Sequence, residues 1–549
     1  MTPSALTLLL TTSLLVALTV LSVLPRVRVV LWAATFILVG WQILSEPRTI
    51  SMLSVYLLVA VMALAALLAK FLGSRTDRKP ANRRWPRVLL ALFALPLLAV
   101  PVIEAFVIPF DPEDYGRDGW TEAYDKLHAT LERRYAFGRW KAIDWEQLRA
   151  RHRPSIVAAE QAGDEAALYL ALRAYVYDLH DGHVSIRSDL HQKLQDASIG
   201  GGVGMALLQL DDGRVIVHIL EEDGPAARAG VRWGAEVLEW NHQPIGQAIA
   251  AVPTLWTSRP IATTDNLALA RQRLLTRSPG GTEVQVTFRN RGEDMPRTVS
   301  LVARDDGYDI YWRSVAADPR APAEDPVSFE MVGPGIGYIR IASLESSAAG
   351  MDPPEAMDVA MRELLAQGMR GLILDVRGNR GGMDRFVPEM MGYFTRAPIH
   401  YEGITAYNQL LGRFTELTSL QIEPKAVQFG GPVVVLIDHR TKSSGEGFAL
   451  IAKSSPQVDV MGLHPTDGSF GMAEATVYMP RGIEVGFPWG QSVDAFGVVQ
   501  VEGNQALEGG VDPDIDVPMT YDIATAAYEA GHDVVLESAV SELRRTISE

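Results

Sequence analysis

The chain has 549 residues, enough for three or four domains, and a net charge of −16. Residues 1–110 carry +7 of that balance, so residues 111–549 carry −23; so acidic a body argues against nucleic acid as a partner, because phosphate binding needs a basic face. The absence of cysteine excludes disulfides, thiolate nucleophiles and cysteine-ligated metals together, and suits an oxidising compartment where a stray thiol is a liability.

Four apolar runs come first: Ala5–Leu24, Val29–Leu44, Met52–Leu72 and Val88–Ile108. Three are long enough to cross roughly 30 Å of hydrocarbon as helix; the second is shorter but rich in Trp, Phe and Ile. A cleavable signal peptide is the rival reading of the first run, yet that run has no basic leader and further spans follow at once. A buried all-helical domain is the rival for all four, and the near-absence of charge within them speaks against it. The Lys70–Arg87 connection holds Lys70, Arg75, Arg78, Lys79, Arg83, Arg84 and Arg87 against Asp77, and is expected in the cytoplasm. The turn with Arg26 and Arg28 falls on the same side, and Ser45–Ile50 faces out. Residues 1–110 are therefore expected to be a four-span anchor in the lipid bilayer of an inner (cytoplasmic) membrane. Both its ends, and the body after it, lie on the extracytoplasmic (periplasmic) side.

Residues 111–195 read as a helical lead-in. Ala123, Leu127, Leu131 and Tyr135 recur every fourth residue as an apolar stripe. A second helix is predicted over Glu165–Leu179, and Asp181-Gly182-His183-Val184 then turns into a short strand. Residues 196–304 change period. Val203, Met205 and Leu207, then Val215, Val217 and Ile219, alternate as strands do; a short helix starts at Pro225, and Thr282–Phe288 is a closing strand. Residues 305–526 read as α/β: strands at Gly335–Ile341, Gly371–Val376 and Pro432–Asp438, and helices at Pro354–Ala366 and Gly445–Lys453. Residues 527–549 form a C-terminal helix.

Two places carry chemistry. Ser443 and Ser444 lie between the strand ending in Asp438 and the helix that follows. A serine there faces the positive end of the helix dipole beside unpaired N–H groups that can hold an oxyanion. The alternative is a simple helix cap, with Glu446 completing a capping box. The buried strand Leu372–Val376 ends in Arg377-Gly378-Asn379-Arg380-Gly381-Gly382, where paired glycines permit close backbone approach and offer further N–H donors. An ordinary strand-end turn is the alternative there. No HExxH pattern, histidine cluster or phosphate-loop pattern occurs, so no metal or cofactor is expected.

The glycine loop Gly200-Gly201-Gly202-Val203-Gly204-Met205, the stretch GPAARAGVRWGAEVLEWN and the strand GGTEVQVTFR resemble a PDZ domain. The resemblance implies capture of a peptide C-terminus, with Gly202, Val203, Gly204 and Met205 receiving the carboxylate and an edge strand receiving the peptide. A small β-barrel with no ligand is the other reading. With IDW, DGHVSI, LILDVRGNRGG, VVVLIDHRTKSSGEGFALIAK and LEGGVDPDIDV, residues from about 117 to 520 resemble the C-terminal processing (tail-specific) peptidases and their tricorn-core relatives. This resemblance implies a multidomain fold with a crotonase/ClpP-like βαβ core and a serine peptidase activity. It makes Ser443 the nucleophile, and Ser444 with Gly381 or Gly382 the oxyanion hole.

Many of these peptidases use a lysine about twenty-five residues after the serine as base. Here that place is Gly468, and no lysine follows Lys453, which lies ten residues and roughly 15 Å further along the same helix. Lys442 precedes the serine, and its side chain is expected to diverge from it. The tricorn-like branch implies instead a histidine from the lead-in, here His183, with a glutamate near the end of the chain, here Glu508. The serine preceding that histidine in tricorn cores is Gly182 here. A histidine with a free pKa of about 6.5 can take the serine's proton and return it to the leaving amine. His464, after the Val458–Met461 strand, and His439 are the competing bases. The reading is a membrane-anchored extracytoplasmic serine peptidase cleaving polypeptides near their C-termini, with an inactive PDZ scaffold as the alternative. The oligomeric state is not legible.

Overall fold

The computed structural model describes residues 112–315, 325–346, 350–408, 411–472 and 475–548. The four apolar runs within residues 1–110, and the anchor read from them, lie outside the described residues. Among the described residues no helix is long and apolar enough to cross a membrane. The chain divides into two compact units, and the elements below belong to the one comprising Asp114–Ala406 and Glu416–Glu549.

The lead-in forms three helices. Helix α1 (Trp120–Arg134) buries the predicted stripe, with Ala123, Leu127 and Leu131 inaccessible and Tyr135 just past its end. Helices α2 (Trp145–Ala162) and α3 (Glu165–Tyr177) start on Asp144 and Asp164, whose carboxylates accept from the N–H groups of Gln147 and Ala167 at 2.9 and 3.0 Å. Each such cap is worth about 1 kcal/mol. Gly163, at φ 64°, closes α2 in the left-handed conformation that a side chain would resist. The chain then passes through Asp181-Gly182-His183 into β1 (Ser185–Arg187).

An antiparallel sheet follows, made of β2 (Met205–Gln209), β3 (Val215–Leu220), β4 (Glu236–Trp240), β5 (Glu283–Arg289) and β6 (Arg297–Val302), in the order β6-β5-β4-β3-β2. The period-two pattern places Met205, Leu207, Val215, Val217, Val237, Val284, Val286 and Phe288 in one apolar cluster. Helix α4 (Thr264–Leu275) runs beside the edge strand β2, where Gln272 Oε1 accepts from Gln209 N–H at 2.9 Å. Helix α5 (Asp309–Val315) contacts β2 and β3 and packs Ile310 on Ala206 and Ile219.

The C-terminal half is a three-layer α/β unit. Its sheet runs β7-β8-β9-β10-β11-β14, where β7 is Val327–Gly333, β8 Ile336–Ile341, β9 Gly371–Asp375, β10 Val433–Leu436, β11 Val458–Gly462 and β14 Ile515–Asp516. Only the β7–β8 pair is antiparallel. Strands buried on both faces read as continuous apolar runs, and β9 does so. Leu372 and Leu374 join the layer holding α6 (Pro353–Ala366) and α7 (Ser444–Ala452), while Ile373 joins the layer holding α8 (Val534–Ser548). Helix α6 presents Met357, Ala360, Met361 and Leu364, all inaccessible, along one face. Burying one such large aliphatic side chain contributes about 1.5–3 kcal/mol.

The register fixes where chemistry can sit. Leu374 pairs with Val435 and Asp375 with Leu436, so the loops leaving β9 and β10 emerge side by side. Strand β1 pairs antiparallel with β13 (Ile483–Phe487), Ser185 opposite Gly486, and β13 pairs with β12 (Ala475–Met479). The end of the lead-in is thereby joined to the α/β unit.

Candidate active site

Ser443 follows the β10 turn and immediately precedes α7. Its backbone is at φ 56°, ψ −130°, a strained region for a residue with a side chain, at about 1–3 kcal/mol. Three contacts hold it there. Its N–H lies 3.0 Å from Ser469 O and 3.1 Å from Glu446 Oε2. Gly381, at φ 92°, packs against it so closely that a Cβ on Gly381 would lie 2.7 Å from Ser443 Cβ. The turn itself is wound on Asp438, whose Oδ1 accepts from the N–H groups of Gly378, Arg440 and Thr441 at 2.9, 3.0 and 2.9 Å.

Glu446 is more than half of a capping box. Its buried carboxylate also accepts from Thr466 Oγ1 (2.6 Å), Gly468 N–H (2.7 Å) and Ser469 N–H (3.0 Å), so it ties the serine to the 466–469 loop. Burial and the nearby Asp467 push its carboxyl up to about 8, against the pull of those donors.

Of the expected oxyanion donors, Ser444 N–H is the first of α7 and has no partner one turn back within the helix. Gly381 N–H is already given to Asn379 Oδ1 at 2.8 Å, which leaves Gly382 as the second donor. Gly382 O lies 3.1 Å from Ser444 Oγ, and Gly382 bridges Leu344 so tightly that a Cβ would stand 2.2 Å from Leu344 carbonyl atoms.

The structure brings His183 to this place through its own loop. Lys442 Nζ donates to Gly182 O, and Gly182 N–H donates to Ser469 Oγ at 3.0 Å. Lys442 thus turns toward the histidine loop. A Cβ on Gly182 would lie 2.4 to 2.7 Å from Lys442 Nζ, Ser469 Oγ and Asp467 Oδ1, so a side chain there would displace the groups that hold this loop. Asp181 steadies the turn: its Oδ1 accepts from His183 N–H (2.7 Å) and its Oδ2 from Tyr135 OH (2.7 Å). Among the described residues no hydrogen bond joins the Ser443 hydroxyl to the His183 ring. Such bonds are commonly long before substrate binds.

The His183 ring is buried and its Nδ1 lacks a hydrogen-bond partner, 3.9 Å from Asp181 Oδ1. Burial first, then the charges of Lys442, Arg259, Lys141 and Arg380, hold it well below the usual histidine range. It is therefore neutral, as a base must be.

Glu508 is not brought to this histidine. It is exposed and bonded to Asn504 Nδ2 at 3.1 Å. The carboxylates beside His183 are Asp181 and Glu502, and one polar atom from each of these three residues lies within 4.8 Å of the others. Glu502 is fully buried, accepts from Phe470 N–H at 3.0 Å and pairs with Lys141 Nζ at 2.9 Å. Burial and Asp181 push its carboxyl up to about 8, and Lys141 opposes them. Lys141 also donates to His180 O (3.0 Å) and Gly503 O (2.7 Å), stitching the two loops together. Three side chains of this kind could ligate a metal, but the Lys141 ammonium already sits on Glu502 where a cation would bind.

His464 and His439 lie together elsewhere, ring centroids 6.1 Å apart, with His439 Nε2 against Arg273 Nη2 at 3.0 Å. In the glycine loop, Val203 and Met205 are buried in the antiparallel sheet's core, Gly204 is at φ 77°, and the carbonyls of Val203 and Gly204 accept from Ala226 and Glu221 N–H. Glu502 and Lys141 were the residues that sequence reasoning missed. Glu502 stands six residues before Glu508 on the far side of Gly503, and the only signal for it was an acidic residue ending the run Val498-Val499-Gln500-Val501.

Residues 335–517 match the family described as Peptidase family S41. The carboxy-terminal processing protease CtpB of Bacillus subtilis (strain 168) is 26% identical over 285 residues, which is 52% of this chain and 48% of that protein. The chain thus spans about half the length of that curated relative. Among solved structures, mature CPAF complexed with lactacystin covers 78% of this chain and 99% of its own, at a TM-score of 0.55 and 17% identity. Mature CPAF alone gives 0.53 at 18% identity, over 78% of this chain and 98% of its own. That likeness extends the shared fold over the lead-in and the antiparallel sheet as well as the α/β unit. Residues 335–517 thus match Peptidase family S41, and the chain is similar to a carboxy-terminal processing protease of that kind.

Proposed function

We propose that this protein is a serine peptidase cleaving polypeptides near their C-termini, with Ser443 as nucleophile, His183 as base and Glu502 as the carboxylate that orients and charge-balances it. The observation that carries the reading is the clamp of the Gly182–His183 loop onto Lys442 and Ser469, the residues that flank and hold Ser443. His183 takes the hydroxyl proton as Ser443 Oγ attacks the scissile carbonyl. The oxyanion that forms is held by the N–H groups of Ser444 and Gly382. The C–N bond breaks, His183 gives its proton to the departing amine, and water, deprotonated by the same histidine, releases the acyl group. The carboxylates of Glu502 and Asp181 stabilise the transient imidazolium. Replacement of Ser443 by alanine is expected to lower hydrolysis of an unfolded reporter at least about a thousandfold with an unchanged circular dichroism spectrum; full activity in that variant would overturn the assignment.

The antiparallel sheet with its glycine loop supports a PDZ-like peptide-binding role, in which Gly202, Val203, Gly204 and Met205 receive a substrate's terminal carboxylate and the edge strand β2 receives its backbone. The apolar, basic residues 1–110 support a four-span membrane anchor with the catalytic body on the periplasmic side. The division into anchor, lead-in, peptide-binding segment, core and terminal helix belongs to the same proposal. An inactive scaffold is the competing reading; the neutral, carboxylate-flanked His183 favours an active enzyme.

A further inference from the structure

The two peptide units that flank the Gly382 Cα are fixed from one side by Leu344. Gly381 O accepts from Leu344 N–H at 3.0 Å, and Leu344 O accepts from Met383 N–H at 2.7 Å. In a trans peptide the N–H and the C=O point opposite ways, so Gly382 N–H and Gly382 O both face away from Leu344. Among the described residues Gly382 N–H has no partner, as an oxyanion donor requires.

On the other side a single side chain holds the carbonyl. Ser444 Oγ lies 3.1 Å from Gly382 O and 2.5 Å from Asp384 Oδ1. Ser444 is inaccessible to solvent, so no bulk water stands in for those partners. Both donors of the oxyanion hole therefore hang on Ser444: one is its own N–H, and the other belongs to the glycine whose carbonyl it meets. Asp384 has no part in the acyl-transfer chemistry above. It is half-buried and forms no ion pair among the described residues. The groups facing it are the Ser444 hydroxyl on α7 and the buried Tyr401 and Glu402 on the strand Ile399–Asn408. Arg385, next in the chain, lies over the Phe386 ring at 4.8 Å.

A hydroxyl has one proton to give. With Asp384 ionised, the Ser444 proton goes to Oδ1. With Asp384 neutral, the carboxyl donates to Ser444 Oγ and the serine's own proton is free for Gly382 O. The Ser444 side chain is held in both states, and in the second the Gly382 peptide is held too. Burial pushes the Asp384 carboxyl up to about 6 against the pull of the Ser444 bond. We propose that Asp384 is a positioning residue of the oxyanion hole, acting through the Ser444 hydroxyl to fix the Gly382 peptide against the start of α7. The proposal rests on Ser443 being the nucleophile. Its effect falls on the transition state, where the two N–H groups must meet the oxyanion, rather than on substrate binding.

The test is steady-state hydrolysis of an unfolded reporter by the full chain, with Ser443→Ala as the blank. Asp384→Ala is expected to lower kcat at least about tenfold with KM within about threefold of wild type. Ser444→Ala keeps the N–H and removes only the hydroxyl; it is expected to lose a similar factor, and serves if Asp384→Ala does not fold. The double variant is expected to lose no more than the worse single one, because the two side chains form one link. Asp384→Asn, whose amide N–H donates as the neutral carboxyl does, is expected to recover most of the loss. The ratio of its kcat to that of wild type is expected to rise as pH rises through about 6. Wild-type kcat in both single variants, a loss confined to KM, losses that multiply in the double variant, or a ratio indifferent to pH overturns the proposal and leaves the nucleophile in place. Hydrolysis absent from the wild type, or surviving in Ser443→Ala, overturns the reading of the site and this proposal with it.

Discussion

Ser443 keeps its strained backbone because four partners converge on it: the Glu446 carboxylate, Ser469 O, the bare Cα of Gly381 and the N-terminus of α7. Strain of this sort persists only where the surroundings over-determine it. The same logic governs the histidine loop. Gly182→Ala puts a methyl group onto Lys442 Nζ and Ser469 Oγ, so it is expected to lower kcat at least about tenfold while leaving most of the stability, because the displaced loop carries His183 with it; unchanged kcat would show that the loop is not the source of the base. His183→Ala is expected to lose nearly all activity and His464→Ala to keep it, as His464 sits with His439 and Arg273 instead. The reverse outcome, read in a peptidase assay, would move the base. Lys141 acts through Glu502. In Lys141→Met the cation that opposes the upward push on the Glu502 carboxyl is gone, so activity is expected to fall and its acid limb to move to higher pH, where that carboxyl loses its proton. A pH–rate profile parallel to wild type would reduce Lys141 to a structural tie. Since His183 is held below its ordinary range, the acid limb of wild-type kcat/KM is expected below pH 6.5.

At the scale of elements, the site is made by register. Parallel pairing of β9 with β10 places two glycine-bearing loops side by side, and the pairing of β1 with β13 brings in the lead-in. Strands β8, β9, β10 and β11 and helices α6 and α7 were legible to within one or two residues, whereas β7, β12, β13 and β14 were not read, and the helix expected over 527–549 spans Val534–Ser548. The short apolar run Leu372–Val376, bounded by glycines at 371 and 378, reads as a buried strand, and the α6 stripe recurs at helical spacing. The glycines at 381 and 382 were legible as places of close approach, and contact with Ser443 and Leu344 is what they serve. Glu502 was not legible. Its role depends on a loop returning beside a helical segment some 360 residues earlier, a pairing that no local period encodes. Likeness in LEGGV points to Glu508, but that residue lies exposed in a turn closed by Asn504. A stability consequence also belongs at this scale. His218 is buried in β3 with a folded pKa of about 3, so between pH 6.5 and 3 the unfolded chain binds the extra proton. Its contribution is retained above pH 6.5 and lost at about 1.4 kcal/mol per pH unit as pH falls through that window. His218→Gln is expected to flatten the acid side of the melting-temperature curve relative to wild type; parallel curves would contradict it.

At the scale of the whole chain, the acidic catalytic body and the basic apolar residues 1–110 call for different solvents. The full chain is expected to sediment with membranes and a chain beginning at residue 112 to remain in the supernatant; a soluble full chain would contradict the anchor. The central claim is narrower: a serine at the start of α7, made reactive by a histidine from the lead-in. Labelling the intact protein with a fluorophosphonate probe and locating the adduct by peptide mass spectrometry tests it most directly. The expected result is stoichiometric modification of Ser443, abolished in His183→Ala and strongly slowed in Glu502→Gln. No adduct on Ser443, or labelling that is indifferent to His183, would contradict the account.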